Sequence, residues 1–216
     1  MLTLENVTYR YKRSQTDVLK GISAQFETGK VNAIVGPSGS GKTTLLSILA
    51  GMDSPHGGGV YIGEDNLANL DLNQYRRSRI AMIFQAFHLF PLLTAIENVC
   101  YPLEASGARQ QDALAKAKPL LDAVGITQDK WNRFPANLSG GEQQRVAIAR
   151  ALSVGAKVLL ADEPTGNLDT INSDIVVDIL QKLAHDHGYC VVIVTHNPDI
   201  ANISDNVFTM KEGELT

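Results

Sequence analysis

The chain has 216 residues, 19 Lys and Arg against 23 Asp and Glu, and a formal net charge of -4; that is enough for one α/β domain with its own core and too little for two independent ones. The acidic balance argues against a nucleic-acid binder, and the densest basic stretch, Arg76, Arg77 and Arg79, reads as a solvated helix face. The longest apolar runs, such as 190–194, fall far short of the roughly 20 residues that span a bilayer, and residues 1–5 lack the charged-then-apolar pattern of a secretion signal.

In chain order, residues 2–9 and 22–26 alternate as half-buried antiparallel strands do, with Tyr11 on the polar turn between them. An aromatic ring at that place can stack on a nucleotide base. An apolar strand, 31–35, then leads into Gly36-Pro37-Ser38-Gly39-Ser40-Gly41-Lys42-Thr43 and a helix over 42–50. The spacing G-x-x-x-x-G-K-[ST] between a strand and a helix is that of a phosphate-binding loop. Its glycines let successive N–H groups point inward at a helix N-terminus, so the loop reads as an anion nest. Lys42 is expected to reach the β- and γ-phosphates, and the Thr43 hydroxyl to ligate Mg²⁺. Beyond it, Gly57-Gly58-Gly59 and Gly63-Glu64-Asp65 read as turns around a short strand, 60–62. A short helix over 73–79 feeds a strand, 80–84, that ends at Gln85.

From 86 to 137 the pattern turns helical, as an insertion between two parts of an α/β core would be. Thr94-Ala95-Ile96-Glu97 has capping-box spacing and opens one helix. A second helix carries Leu114, Ala117, Leu121 and Val124 on one stripe, and Pro119 within it predicts a kink or a break. The apolar loop Phe87-His88-Leu89-Phe90-Pro91-Leu92-Leu93 is open to two readings, packing within the insertion or docking of a partner. Cys100 and Cys190 lie in apolar stretches without metal spacing and read as buried thiols in a reducing compartment. His185 and His187 are two apart on a predicted helix and do not share a face, which argues against a metal site.

Leu138-Ser139-Gly140-Gly141-Glu142 precedes a helix, and Ser139 with Glu142 repeats the capping-box spacing. A plain cap does not need two glycines, so Ser139, Gly140 and Gly141 also read as a second phosphate-binding helix end. The apolar strand 158–162 delivers Asp162 and Glu163 at its C-terminal edge, where open α/β sheets bind ligands. Adjacent carboxylates on a strand point opposite ways, which suits Asp162 to Mg²⁺ and Glu163 to polarising a water toward the γ-phosphate. A helix after Gly166-Asn167-Leu168-Asp169 carries Ile175, Ile179 and Leu183 on one stripe, and the last buried strand, 191–195, ends at His196, a candidate γ-phosphate sensor.

Taken together, these motifs resemble the ATP-binding subunit of an ABC transporter, and the resemblance covers essentially the whole chain. It implies an α/β P-loop NTPase core with a mixed sheet, an N-terminal antiparallel β subdomain and an inserted helical subdomain. The corresponding division of 1–216 is a core with β subdomain over 1–85 and 138–216, and helices over 86–137. By resemblance Tyr11 stacks on adenine, Gly36 to Thr43 with Thr44 behind form the Walker A loop, and Gln85 contacts Mg²⁺ and links to a membrane partner. Likewise 138–142 resembles the ABC signature, 158–162 Walker B with Asp162 at the metal, Glu163 the catalytic base, Leu168-Asp169 the D-loop and His196 the switch histidine. The cofactors implied are ATP and Mg²⁺, and Lys42, Gln85, Glu163 and His196 are the residues implied in catalysis.

In that family two subunits pair head to tail, so the segment Ser139 to Glu142 of one chain closes on ATP held by Lys42 of the other, and Asp169 is implied in nucleotide binding. Leu93-Thr94-Ala95-Ile96-Glu97-Asn98-Val99 and the run Asp162 to Asp169 are similar to the macrolide-exporter and lipoprotein-release branch. The resemblance therefore implies a homodimeric ATPase that powers an integral-membrane permease docked between Gln85 and Leu93, without nucleic acid. Its place would be the cytoplasmic face of the cell membrane, held there by the permease. The alternatives are the ATPase of an importer or a soluble ABC-type ATPase.

Overall fold

Strands covered on both faces are apolar nearly throughout, and four short runs of this chain meet that demand between their end residues, except at the buried Asn32, whose amide donates to the Val191 carbonyl at 3.1 Å. The computed structural model describes residues 1–12 and 14–216. In it β3 (Lys30–Val35), β6 (Ile80–Ile83), β7 (Val158–Asp162) and β8 (Cys190–Thr195) lie parallel with β9 (Asn206–Lys211), which pairs antiparallel with β10 (Glu214–Leu215). The sheet order is β10-β9-β3-β8-β7-β6. Alternate residues serve opposite faces: Val191 and Ile193 join one apolar cluster, while Val192 and Val194 join the other. The first cluster is completed by α3 (Ala95–Ala105), α4 (Gln110–Ala123), α5 (Gly140–Ser153) and α6 (Thr170–His185). The second takes in α1 (Lys42–Leu49), α2 (Leu72–Ser78) and a separate antiparallel sheet of β1 (Leu2–Tyr9), β2 (Leu19–Phe26), β4 (Gly57–Ile62) and β5 (Asp65–Asn66), in the order β2-β1-β4-β5. A short α7 (Pro198–Asn202) follows β8.

Register decides where the chemistry collects. Val35 pairs with Thr195, Asp162 with Val194, and Ile83 with Ala161, so β3, β6, β7 and β8 all end at one edge. Gly36, Gln85, Glu163 and His196 follow those ends within one or two residues, at the edge where a parallel sheet opens to ligand.

Several sequence expectations are corrected. The triple glycine is strand, not turn: β4 (Gly57–Ile62) pairs with β1 (Leu2–Tyr9) from Gly57 onward. A Cβ on Gly58 would come within 2.2 Å of the Glu5 carbonyl oxygen, where β1 bulges at Asn6, so backbone approach requires glycine there. Pro119 does not break α4, which runs on to Ala123. On α6 the buried face is Val176, Leu180, Leu183 and Ala184, whereas Ile175 is exposed. Strand β2 (Leu19–Phe26) begins three residues before Ile22. Both capping boxes, Thr94 with Glu97 and Ser139 with Glu142, form as expected. Cys100 and Cys190 are buried free thiols, each pushed up to about 11 by burial.

Candidate functional site

The loop between β3 and α1 is shaped by what a side chain would strike. A Cβ on Gly36 would fall 2.1 Å from the Met210 carbonyl oxygen, and Gly41, at φ +108°, would meet the Met210 side chain at 2.8 Å. Gly39 sits at φ +79° with open space beside it. Gly41 is the N-cap of α1 and supplies no side-chain cap, so the first N–H groups of α1 face the loop. The Lys42 ammonium is buried and donates to the carbonyls of Gly36 at 2.8 Å and Pro37 at 2.9 Å.

Around this loop lies a cleft of about 470 Å³ whose lining includes Tyr11, Lys42, Thr43, Gln85, Asp162 and Glu163. Ser38, Gly39, Gly41 and Thr44 line it too. The Tyr11 hydroxyl sits 2.8 Å from the Thr44 hydroxyl. Burial, and next the charge of Glu163, hold the Asp162 carboxyl above the usual aspartate range, while Lys42 and the Thr43 hydroxyl pull it down. Strand β7 stops at Asp162, and Glu163 turns off at φ +47°. The two acids thus diverge through a left-handed residue, not through the strand alternation that the sequence suggested.

Glu163 also lines a second cavity of about 490 Å³ together with His196 and Leu168. Its carboxylate lies 2.6 Å from His196 Nδ1 through Oε1, and accepts from the Thr195 hydroxyl at 3.0 Å through Oε2. Gln85 is exposed and tied to the Gly166-Asn167 turn: Asn167 Nδ2 donates to its carbonyl at 2.9 Å. Asp169 caps α6, accepting from the Asn172 N–H at 2.8 Å, and its carboxyl is held low by that bond and by the Asn172 amide.

Ser139, Gly140, Gly141 and Glu142 line neither cavity. Glu142 accepts from the Ser139 N–H at 2.8 Å and pairs with Lys130 at 2.7 Å, and Gly140 and Gly141, the first two residues of α5, have N–H groups without an intrahelical acceptor. The glycines have different reasons. A Cβ on Gly141 would lie 1.9 Å from Asn172 Oδ1, a packing need that the sequence did not reveal, whereas one on Gly140 would find nothing nearer than 3.7 Å.

Sequence reasoning missed Thr195, Asn172, Gln144 and Arg150. Arg150, near the end of α5, donates to the carbonyls of Phe87 at 3.0 Å and His88 at 2.5 Å. Phe87 and His88 both have positive φ, and a sequence offers no local sign of either. Beside this loop runs an apolar groove of about 320 Å³ whose lining includes Met82, Phe84, Phe90, Tyr101 and Arg150.

A family model described as ABC transporter matches residues 19–166. The chain belongs to that family. It is 42% identical over 220 residues to the macrolide export ATP-binding/permease protein MacB of Escherichia coli strain K12, covering 100% of this chain and 34% of that protein. The chain thus spans about a third of the length of those relatives. It is 37% identical to an uncharacterized ABC transporter ATP-binding protein of Bacillus subtilis strain 168, covering 100% of this chain and 96% of that one. Among solved structures, the dimeric structure of a bacterial ABC transporter cassette superposes with TM-score 0.89 at 38% identity, covering 100% of this chain and 96% of that chain. The same cassette is known in a post-hydrolysis state bound to ADP and Pi.

This chain is accordingly an ABC ATPase domain, and ABC ATPases bind ATP with Mg²⁺. Its own residues fit both. Lys42 is a buried cation whose hydrogen bonds, among the described residues, go to two neutral carbonyls, so its charge faces Asp162 and the cleft. Ser40 Oγ is buried with no partner among the described residues, and Thr43 with Asp162 offers the hard oxygen donors that Mg²⁺ takes. No helix among the described residues is long and apolar enough to cross a membrane.

Proposed function

We propose that this chain is the motor subunit of a membrane exporter of the macrolide-export or lipoprotein-release kind, working as a head-to-tail pair. The observation that supports the reading is the separation of the phosphate-loop cleft from the glycine-rich start of α5. Lys42, Asp162 and Glu163 share one cleft, while the half-buried Gly140 and the buried Gly141 at the start of α5 lie outside its lining. A second copy brings its own Ser139 to Glu142 segment onto the phosphates held by the first, and Asp169 sits near that seam.

In this reading Walker A and Lys42 hold the ATP phosphates, and Tyr11 stacks on the base. Thr43, Asp162 and Gln85 would hold Mg²⁺, which would supply positive charge against the phosphates. Glu163 takes a proton from the attacking water, and His196 and Thr195 aim its carboxylate. The division into 1–85 with 138–216 and the helical 86–137 separates nucleotide chemistry from contact with the permease. That contact falls between Gln85 and Leu93, where Leu92 is 86% exposed and the apolar groove is open. The subunit is thereby held at the cytoplasmic membrane face, and no nucleic acid is involved. Arg76 and Arg79 are engaged within the chain, with Gly51 and Asp65.

The test is a pull-down from gently solubilised membranes with a tagged Glu163→Gln chain held in ATP. Recovery of one integral membrane protein with few spans and a large outer domain supports the exporter branch. A many-span permease with a solute-binding protein assigns an importer, and only soluble or nucleic-acid partners overturn the transport reading. Turnover that is independent of protein concentration in a chain shown to be monomeric overturns the paired site.

A further inference from the structure

Gln144 lies one turn into α5 and is fully buried, yet it lines neither cavity around Glu163. Its Nε2 donates to the Pro164 carbonyl at 2.7 Å and reaches the Phe84 carbonyl at 3.5 Å. Those two carbonyls adjoin the residues that aim the chemistry. The Phe84 carbonyl shares a peptide with the Gln85 nitrogen, and Pro164 directly follows Glu163.

Glu163 occupies the left-handed region, which a non-glycine residue holds only where its surroundings over-determine it. Its N–H donates to Val194 at 2.9 Å, and its carbonyl accepts from Gly166 at 3.0 Å. The Gln144 amide fixes the next carbonyl along. Gln144 Oε1 has no partner among the described residues, so the donor end is what the buried amide contributes. An apolar side chain of the same size would fill the space but leave the Pro164 carbonyl unpaired.

We propose that Gln144 is a positioning residue for ATP hydrolysis: through its amide it ties the signature helix α5 to the backbone that presents Gln85 and Glu163. Movement of α5 when its N-terminus meets nucleotide is then passed to the base and to the metal-side glutamine of the same chain. The inference rests on Glu163 acting as the base.

Because Gln144 touches no nucleotide-binding residue of the phosphate loop, its loss shows in kcat and not in KM. In the full chain, Gln144→Met is expected to lower kcat about 10- to 100-fold, with KM for ATP within about 2-fold and cooperative unfolding retained. Gln144→Glu supplies a signature that simple loss of packing does not. A protonated carboxyl there can donate to the Pro164 carbonyl, an ionised one opposes two carbonyl oxygens, and burial raises the pKa of such a group. The ratio of its kcat to that of the wild type should therefore climb as pH falls from about 8.5 to about 6.

A Gln144→Met chain with wild-type kcat, or with a defect confined to KM, overturns the proposal, as does a Gln144→Glu ratio that is flat with pH. If the Met variant fails to fold, the Glu ratio decides alone. Glu163→Gln, assayed alongside, tests the base separately. Full turnover in that variant removes the base reading, whereas its inactivity leaves the Gln144 outcome to bear on positioning alone.

Discussion

His196 Nδ1 lies 2.6 Å from Glu163 Oε1, while the Thr195 hydroxyl donates to the other carboxylate oxygen at 3.0 Å. Two consecutive residues at the end of β8 thus fix a carboxylate carried at the end of β7. His196 is 68% exposed on its side chain and Glu163 only 15%, so the histidine can leave toward a ligand while threonine keeps hold. Residues that act as a unit lose activity non-additively. His196→Ala and Glu163→Gln are each expected to lower kcat by about 10²- to 10⁴-fold, and the double variant to be no slower than the slower single one. Steady-state phosphate release from the three variants checks this; independent multiplication of the two losses would separate the roles.

Neighbouring glycines of the signature answer to different constraints, and alanine tells them apart. Gly141→Ala drives a methyl into Asn172 at 1.9 Å, where Arg145 and Asp169 also bond, and should cost about 1–3 kcal/mol of stability. Gly140→Ala meets nothing nearer than 3.7 Å and should unfold as the wild type does; under the proposed head-to-tail pairing it should hydrolyse more slowly, because its methyl would stand in the path of the phosphate held by the second chain. Thermal melts beside turnover decide the matter, and a stable Gly140→Ala chain with full turnover would deny that helix end a part in the reaction.

What the sequence made legible was local chemistry with a fixed spacing. The strand, loop and helix around Lys42, both capping boxes and the place of the acids at the end of β7 each depend on residues within a few positions of one another and formed where expected, although the two acids diverge through the left-handed Glu163. Contacts across the fold were not legible. Gln144 reaches Pro164 and Phe84 across 20 and 60 positions, and Arg150 grips two carbonyls more than 60 positions away. Gly58 looked like a turn because composition does not reveal that β1 bulges toward it. On α6, Val176 and not Ile175 faces the core, since an apolar residue at each position leaves the helix phase undetermined by one step.

Asp205 joins three elements at the edge of β3 remote from the cleft. Its carboxylate accepts from the Val31 N–H at 2.7 Å, lies 2.9 Å from His185 Nε2 at the end of α6, and pairs with Lys30 at 3.7 Å. Burial pushes this carboxyl up, but His185, the Val31 N–H and Lys30 together outweigh it and hold it below the usual aspartate range. With the folded pKa depressed, the stabilisation is complete above the unfolded value and is lost as pH falls through the folded one. Asp205→Asn should therefore cost about 1 kcal/mol at neutral pH, a partly exposed charge-assisted bond being worth little more. The gap to the wild type should close below about pH 4. Denaturant melts at both pH values check it; a gap that does not change with pH would trace the loss to packing.

Tyr11 makes two kinds of contact that can be separated. Its hydroxyl meets the Thr44 hydroxyl at 2.8 Å, and its ring stands edge-on to Tyr9 at 5.2 Å with nearly half of the residue exposed beside the phosphate loop. If the ring is what nucleotide meets, Tyr11→Phe should keep KM for ATP within about 2-fold, since a half-exposed hydroxyl pair contributes under about 1 kcal/mol. Tyr11→Ala should raise KM about 5- to 10-fold, the equivalent of about 1 kcal/mol of lost stacking, and leave kcat at saturation unchanged. Every base has a π-face, so KM for GTP should rise by a similar factor. A Phe variant as impaired as the Ala variant would assign the effect to the Thr44 hydroxyl pair, and so to the geometry of α1, while an Ala variant with unchanged KM would remove Tyr11 from the nucleotide site.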